Sequence, residues 1–245
     1  MLSRILLRRS RLRASQQTQC FASFVDKTMD NDMLSSSCHQ ETHGPMCWKC
    51  HDTTDNCSFF CNRCNSIQPI NKTCHCNYFE MFKIPKNFNI EPRRIEQTYW
   101  KLQKRLHPDL YGSKSDFEKE LSAINAAIIN DAYKILKTPT MRVKYLLALH
   151  GIDALGETAS TAVDPEVLMQ TMEIRERIAE ASNLDVLYEI RKEVSDNIDA
   201  VINKLGEVYD RDQDLESTKQ YAVQLQYMVK CAEEIDQREE KLDGF

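Results

Sequence analysis

The apolar residues of this chain return every three or four positions over two long stretches, Tyr78 to His150 and Asp164 to the C-terminus. Almost nothing interrupts them, since the 245 residues include only 6 Gly and 7 Pro. A β-rich chain needs turn residues roughly every eight to twelve positions. The pattern therefore predicts an all-α fold. Ile95, Tyr99, Leu102 and Leu106 share one stripe of a helix over 91–106, and Arg93, Arg94, Lys101, Lys104 and Arg105 fall on the opposite side. That helix must stop near His107, because a residue before proline disfavours the helical region. A second helix is predicted from about Asp116 to Lys137, with Leu121, Ile124, Ile128, Ala132 and Leu136 on its apolar face and a break at Pro139. Tyr78, Phe79, Phe82 and Ile84 form a short helix before the pair. The result is an antiparallel hairpin with His107-Pro108-Asp109 exposed at its tip.

From Asp164 onward the periodicity predicts three more helices in an antiparallel bundle. Asp164 reads as an N-cap and Pro165 as the first helical residue. Val167, Ile174, Ile178 and Ala181 make the core stripe of the first helix. Leu168, Met169, Met172, Glu173, Glu176 and Glu180 cluster around the other side. Scattered exposed Leu or Met is ordinary. A contiguous Leu-Met-Met patch rimmed by Glu reads instead as a protein-binding surface, with packing on the hairpin as the alternative. Leu184, Leu187, Val194, Ile198, Val201 and Leu205 stripe the second helix. Leu215, Tyr221, Leu225, Met228, Ala232 and Ile235 stripe the third, and Tyr227 falls off that stripe, where it can join the patch.

The net charge of −5 hides an asymmetry. Residues 77–150 carry 13 Lys/Arg against 8 Asp/Glu, and residues 162–245 carry 10 against 21. Two surfaces of opposite sign suggest two different partners. The acidic C-terminal third excludes nucleic acid as the main ligand, which would need a basic footprint. No apolar run reaches the roughly 18 residues of a membrane span. Residues 1–25 hold Arg4, Arg8, Arg9, Arg11 and Arg13, with Leu2, Ile5, Leu6 and Leu12 between them and no acid. This is the composition of a mitochondrial transit peptide. Residues 26–46 read as a polar linker and 151–163 as a connector. The mitochondrial matrix keeps thiols reduced, so clustered cysteines there are expected to be ligands and not disulfides.

Seven of the ten cysteines fall between positions 47 and 76. Cys47, Cys50, Cys61 and Cys64 have the spacing C-x2-C-x10-C-x2-C. Two such pairs facing each other complete a thiolate tetrahedron suited to Zn2+. Four ligands leave no open position, which makes the site structural. A redox-active CxxC would belong at a helix start in a βαβ unit, which is absent. An iron–sulfur site is the other alternative. Cys57, Cys74, His75 and Cys76 are left over, and any of them can substitute as a ligand. As chemistry, His107 and Asp109 tempt one toward a catalytic dyad. No Ser or Cys nucleophile with supporting context lies nearby, so a catalytic role is not expected.

YFEMF, the basic helix, His107-Pro108-Asp109 and INDAYKILKTPTMRVKYLL together resemble a J domain, the Hsp70-activating module, over about residues 76–149. The resemblance implies that His107, Pro108 and Asp109, with Arg94, Lys101, Lys104 and Arg105, dock on an Hsp70. Asp109 would engage an arginine there, and ATP hydrolysis would be accelerated in the partner. The chemistry agrees: Pro108 lowers the ordering cost of binding, and a carboxylate suits a bidentate arginine pair. With YLLALHGID, VLMQTMEIRERIAE, LQYMVK and EEKLDGF, the resemblance extends over roughly 76–245 to HscB, the J-type co-chaperones of iron–sulfur cluster assembly. Metazoan-type members also carry an N-terminal zinc module, which residues 47–64 match through Cys47, Cys50, Cys61 and Cys64, within a cysteine-rich module over 47–75. That family binds the cluster scaffold through positions matching Leu168, Met169, Met172, Glu173, Glu176 and Glu180, with an aromatic at the place of Tyr227. The expectation is a non-enzymatic adaptor of the mitochondrial matrix. It would hold a structural Zn2+ and no nucleotide, and its partners would be a mitochondrial Hsp70 and the scaffold, with self-association left open. The rivals are a general J-protein for unfolded clients and a metalloenzyme using the Cys/His cluster.

Overall fold

The computed structural model describes residues 45–70, 76–153 and 164–243. The expected transit segment, most of the linker, Cys74, His75 and most of the connector lie outside the described residues. Seven α-helices follow in order among them: α1 (Tyr78–Phe82), α2 (Pro92–Leu106), α3 (Asp116–Lys137), α4 (Pro139–Leu149), α5 (Pro165–Glu180), α6 (Leu184–Gly206) and α7 (Leu215–Asp243). A 3-10 turn, Pro108–Tyr111, joins α2 to α3, and a π-helical turn, Glu207–Arg211, follows α6. β-Pairing among the described residues is limited to two isolated antiparallel bridges, Met46 with Thr53 and Phe60 with Ile67.

Local chemistry sets the helix ends. Asn77 accepts the backbone N–H groups of Phe79 and Glu80 at the start of α1, which stops at Lys83 in the left-handed region. Proline opens α2, α4 and α5, where its missing N–H would have no intrahelical partner. Ser115 and Glu118 form a reciprocal capping box on α3, satisfying two otherwise orphaned donors. Asp164, Asn183 and Asp214 cap α5, α6 and α7 with side-chain oxygens.

The α2–α3 hairpin packs through fully buried Leu106, Ile129 and Leu136, and Leu146 and Leu147 of α4 close it. Burying each such side chain contributes about 1.5–3 kcal/mol. This core does not end at α4. It continues through Val201, Leu205, Tyr209, Ala222 and Leu225 at the base of α6 and α7. A second core, with Ile174, Ile178, Leu187, Ile190, Val194, Met228 and Ile235, fills the far end of the bundle. Ion pairs lace its surface, among them Arg175–Glu234, Arg177–Glu193 and Arg191–Asp236 at 2.7–2.8 Å. All are part-exposed, so each is worth no more than about 1 kcal/mol.

Two stripe residues leave the expected core. Ile124 is 47% exposed, because the buried face of α3 is centred on Asn125, Ile128, Ile129 and Ala132. Asn125 belongs inside since its amide donates to the Gln68 carbonyl at 2.8 Å. Leu184 is 44% exposed. It lies about 60° from the centre of the α6 stripe, taking 100° per residue.

Candidate functional site

Three chemically distinct places emerge. The first is the tip of the hairpin. The carbonyl that ends α2, Leu106, accepts a buried hydrogen bond from Ser122 Oγ at 2.7 Å, which pins the turn to α3. His107 is extended, and its Nδ1 accepts the backbone N–H of Asp109 at 3.3 Å. An accepting Nδ1 leaves the ring proton on Nε2. Nδ1 also lies 3.5 Å from an Asp109 carboxylate oxygen, a contact that becomes an ion pair only when the ring is doubly protonated. The Asp109 side chain is 89% exposed. His107, Pro108 and Asp109 thus stand in solvent on a turn held by its own hydrogen bonds. Along α2, Lys101 and Lys104 are exposed. Arg94 donates to the Lys83 carbonyl at 3.1 Å, tying α2 to the end of α1. Arg105 is engaged elsewhere, as described below.

The second place is the outer face of α5. Met169 and Met172 are 72% and 63% exposed, Leu168 is half-buried, and Glu173, Glu176 and Glu180 are exposed. Thr171, Ile174 and Ile178 face inward. Arg175 reaches Glu234 across 59 residues of sequence, and Arg238 donates to the Ala181 carbonyl. These contacts make α5 and α7 parallel, and the same offset sets Leu168 level with Tyr227. Tyr227 is half-buried, with the Lys230 ammonium 5.9 Å from its ring.

The third place is the cysteine module. The Sγ atoms of Cys47, Cys50, Cys61 and Cys64 all lie within 4.8 Å of one another. Cys47–Cys64 and Cys50–Cys61 are each 3.6 Å apart. A tetrahedral site with Zn–S of about 2.3 Å has S–S edges of about 3.8 Å, so the four thiols fit such an ion. Each CxxC forms the same knuckle. The residue after the second cysteine, His51 or Asn65, is left-handed and returns its N–H to the first cysteine's carbonyl. Lys49 and Arg63 amides point at Cys47 and Cys61 sulfur. Burial opposes ionisation of Cys47, but hydrogen bonds from Ser66 and the backbone outweigh it and lower its pKa. Ser66 also lowers Cys64. The backbone near Asp52 favours the Cys50 thiolate, yet burial and the neighbouring sulfurs outweigh it and raise that thiol. Four thiolates cannot crowd together unaided; a dication would remove the conflict.

Ser66 and Gln68 were not legible as site residues. Both are buried, and Gln68 Nε2 bridges Ser66 Oγ at 2.8 Å and Cys47 Sγ at 3.3 Å. Their spacing of two on extended chain was the only available signal. One expectation is corrected: Cys57 and Cys76 are joined by a disulfide with Cα atoms 5.3 Å apart. They are therefore not ligands, despite lying in the cysteine cluster. Folding brings them together across a separation that no spacing rule marks.

Comparison with known proteins places the chain as a whole. A family model described as the HSCB C-terminal oligomerisation domain matches residues 163–236. The Mus musculus iron–sulfur cluster co-chaperone protein HscB is 32% identical over 201 residues, spanning 78% of this chain and 81% of the relative. The chain belongs to the HscB iron–sulfur cluster co-chaperone family. The human HscB is 30% identical over 194 residues, again 78% of this chain and 81% of the relative. The crystal structure of human HscB superposes with a TM-score of 0.71 at 30% identity, covering 80% of this chain and 98% of that one. HscB from Vibrio cholerae gives 0.59 at 29% identity, covering 68% and 99%. The match to human HscB thus extends to the all-α architecture.

Proposed function

We propose that this chain is the J-type adaptor of iron–sulfur cluster assembly, binding the cluster scaffold and delivering it to a mitochondrial Hsp70 whose ATPase it stimulates. The observation that carries this reading is the exposed Asp109 carboxylate on a proline-stiffened turn, in a chain of the HscB family. A carboxylate presented there suits a bidentate pair with an Hsp70 arginine. Pro108 and the His107 Nδ1 bond reduce the entropy lost on docking. Lys101 and Lys104, with Arg94, supply attraction and on-rate toward an acidic surface.

The Leu168, Met169 and Met172 patch, flanked by Glu173, Glu176, Glu180 and Tyr227, is the proposed scaffold-binding face. Exposed methionines of this number suit an adaptable contact. Holding both partners on one chain raises the effective concentration of scaffold at the Hsp70. The energy comes from ATP hydrolysed in the partner, so this chain needs no catalytic group or nucleotide of its own. Zn2+ in the Cys47, Cys50, Cys61 and Cys64 site would supply a fixed cross-link to a small segment otherwise held by the few apolar side chains, Phe59, Phe60, Ile67 and Ile70, that it adds to the main core. Residues 1–25 would address the protein to the mitochondrial matrix.

The test is Asp109→Asn, which keeps shape and loses charge. The variant should bind scaffold normally and fail to stimulate a mitochondrial Hsp70 in a single-turnover ATPase assay. Full stimulation would overturn the reading. Suppression of denatured-client aggregation equal to that of a general J-protein would favour the rival role.

A further inference from the structure

We propose that the cysteine module is a positioning element for the His107-Pro108-Asp109 turn, acting through Asn65 and Phe60 on Arg105. The proposal rests on the Hsp70 reading above for its consequence but not for its geometry. Arg105 sits two residues before His107, on the last turn of α2. Its guanidinium lies 3.7 Å from the centre of the Phe60 ring. Its Nη2 donates to Asn65 Oδ1 at 2.5 Å. A side chain that sequence alone assigns to a partner's surface is instead held by a segment some 40 residues earlier.

Asn65 is placed there by the second knuckle. It directly follows Cys64 and has φ of +56°, a region that Asn tolerates and most residues do not. Its N–H is bound to the Cys61 carbonyl at 3.0 Å, so the two ligand cysteines set its direction. Phe60 directly precedes Cys61 and is bridged to Ile67. Both residues that hold Arg105 are thus chain neighbours of proposed metal ligands. From Arg105 the restraint reaches the turn, because the Tyr111 hydroxyl donates to the Arg105 carbonyl at 3.2 Å. The module is anchored on α3 as well. Asn125 holds the Gln68 carbonyl, and Trp48 meets Phe117 edge to face at 5.2 Å. A tied module therefore braces α2 and α3 on the side where they flank the turn.

Two consequences differ from those of a merely structural metal site. The knuckles are alike, yet the hydrogen bond to α2, from Arg105 to Asn65, is made to the second. His51, which occupies the place of Asn65 in the first, is exposed. Asn65→Gly keeps the left-handed backbone and deletes the acceptor, whereas Asn65→Asp keeps an acceptor and adds a charge facing Arg105.

The experiment compares full-length wild type, Asn65→Gly, Asn65→Asp, Phe60→Leu and the control His51→Gly, each checked for equal zinc content and melting temperature. Hydrogen exchange of the Asp109 and Leu110 amides reads the turn directly. Hsp70 stimulation and Hsp70 affinity are measured separately. Asn65→Gly and Phe60→Leu should speed exchange at these amides and lower maximal stimulation by about five-fold, roughly the worth of one part-exposed charge-assisted contact. Asn65→Asp and His51→Gly should match wild type. Asn65→Gly and Phe60→Leu indistinguishable from His51→Gly in exchange would overturn the proposal. A wild type that exchanges as expected but stimulates no Hsp70 would overturn the functional reading and leave the brace standing.

Discussion

Asp210 joins the two halves of the molecule, and its removal has a calculable cost. Its carboxylate accepts the backbone N–H of Phe88 at 2.6 Å and of Asn89 at 2.8 Å. These belong to the segment leading into α2, whereas Asp210 lies in the π-helical turn after α6. Phe88 is fully buried, so in Asp210→Ala its N–H loses its partner in a site that water reaches poorly. That costs about 1–3 kcal/mol. The Asn89 amide is exposed and recovers water, adding only about 0.3 kcal/mol by the same reasoning. Asp210 also favours the charged form of Arg142, whose pKa burial pulls down to about 10. Arg142 keeps its 2.6 Å bond to the Leu136 carbonyl, so this loss is smaller. The sum is about 2–3 kcal/mol, or about 5–10 °C in Tm for a chain of this size. Asp210→Asn retains one acceptor oxygen and should lose about half as much. Urea unfolding of the three proteins at pH 7 measures the differences. Asp210→Ala within about 0.5 kcal/mol of wild type, the ordinary range for surface substitutions, would refute the account of the joint.

Leu168→Ala, Met172→Ala and Tyr227→Ala combined should abolish scaffold capture in a pull-down while leaving stability within about 1 kcal/mol, since the two α5 residues lie outside the core. Chelation of the metal, read by loss of zinc and by circular dichroism, should unfold residues 45–70 and spare the far end of the bundle, whose core contains no residue of that segment. Glu118 is held below its ordinary value of 4.5, chiefly by its hydrogen bond with Ser115. A depressed carboxylate stabilises above its unfolded pKa, and that contribution is lost as pH falls through the folded one. Glu118→Gln should therefore flatten the loss of urea resistance between about pH 5 and pH 3. Reduction of the Cys57–Cys76 bond, which closes 19 residues of sequence, should cost about 3 kcal/mol by loop-closure entropy, seen as a lower urea midpoint in reductant.

The amino-acid pattern alone marked six of the seven helices among the described residues, because their signals are local; the break expected at Pro139 is instead the first turn of α4. Proline at a first turn, a capping Ser115 or Asp164, and apolar residues at helical spacing each act within a few positions. The same locality made the exposed turn at Asp109, the Met169 and Met172 face and the four CxxC cysteines legible. Tertiary structure alone decided how these parts touch. Asp210 reaches Phe88 across 122 residues, buried Asn125 meets the Gln68 carbonyl across 57, and Arg105 lies over the Phe60 ring while remaining on the exposed surface. Such pairings join groups whose neighbours in sequence carry no mark of each other. They arise where packed surfaces leave a donor facing an acceptor, and only the folded chain brings those surfaces together.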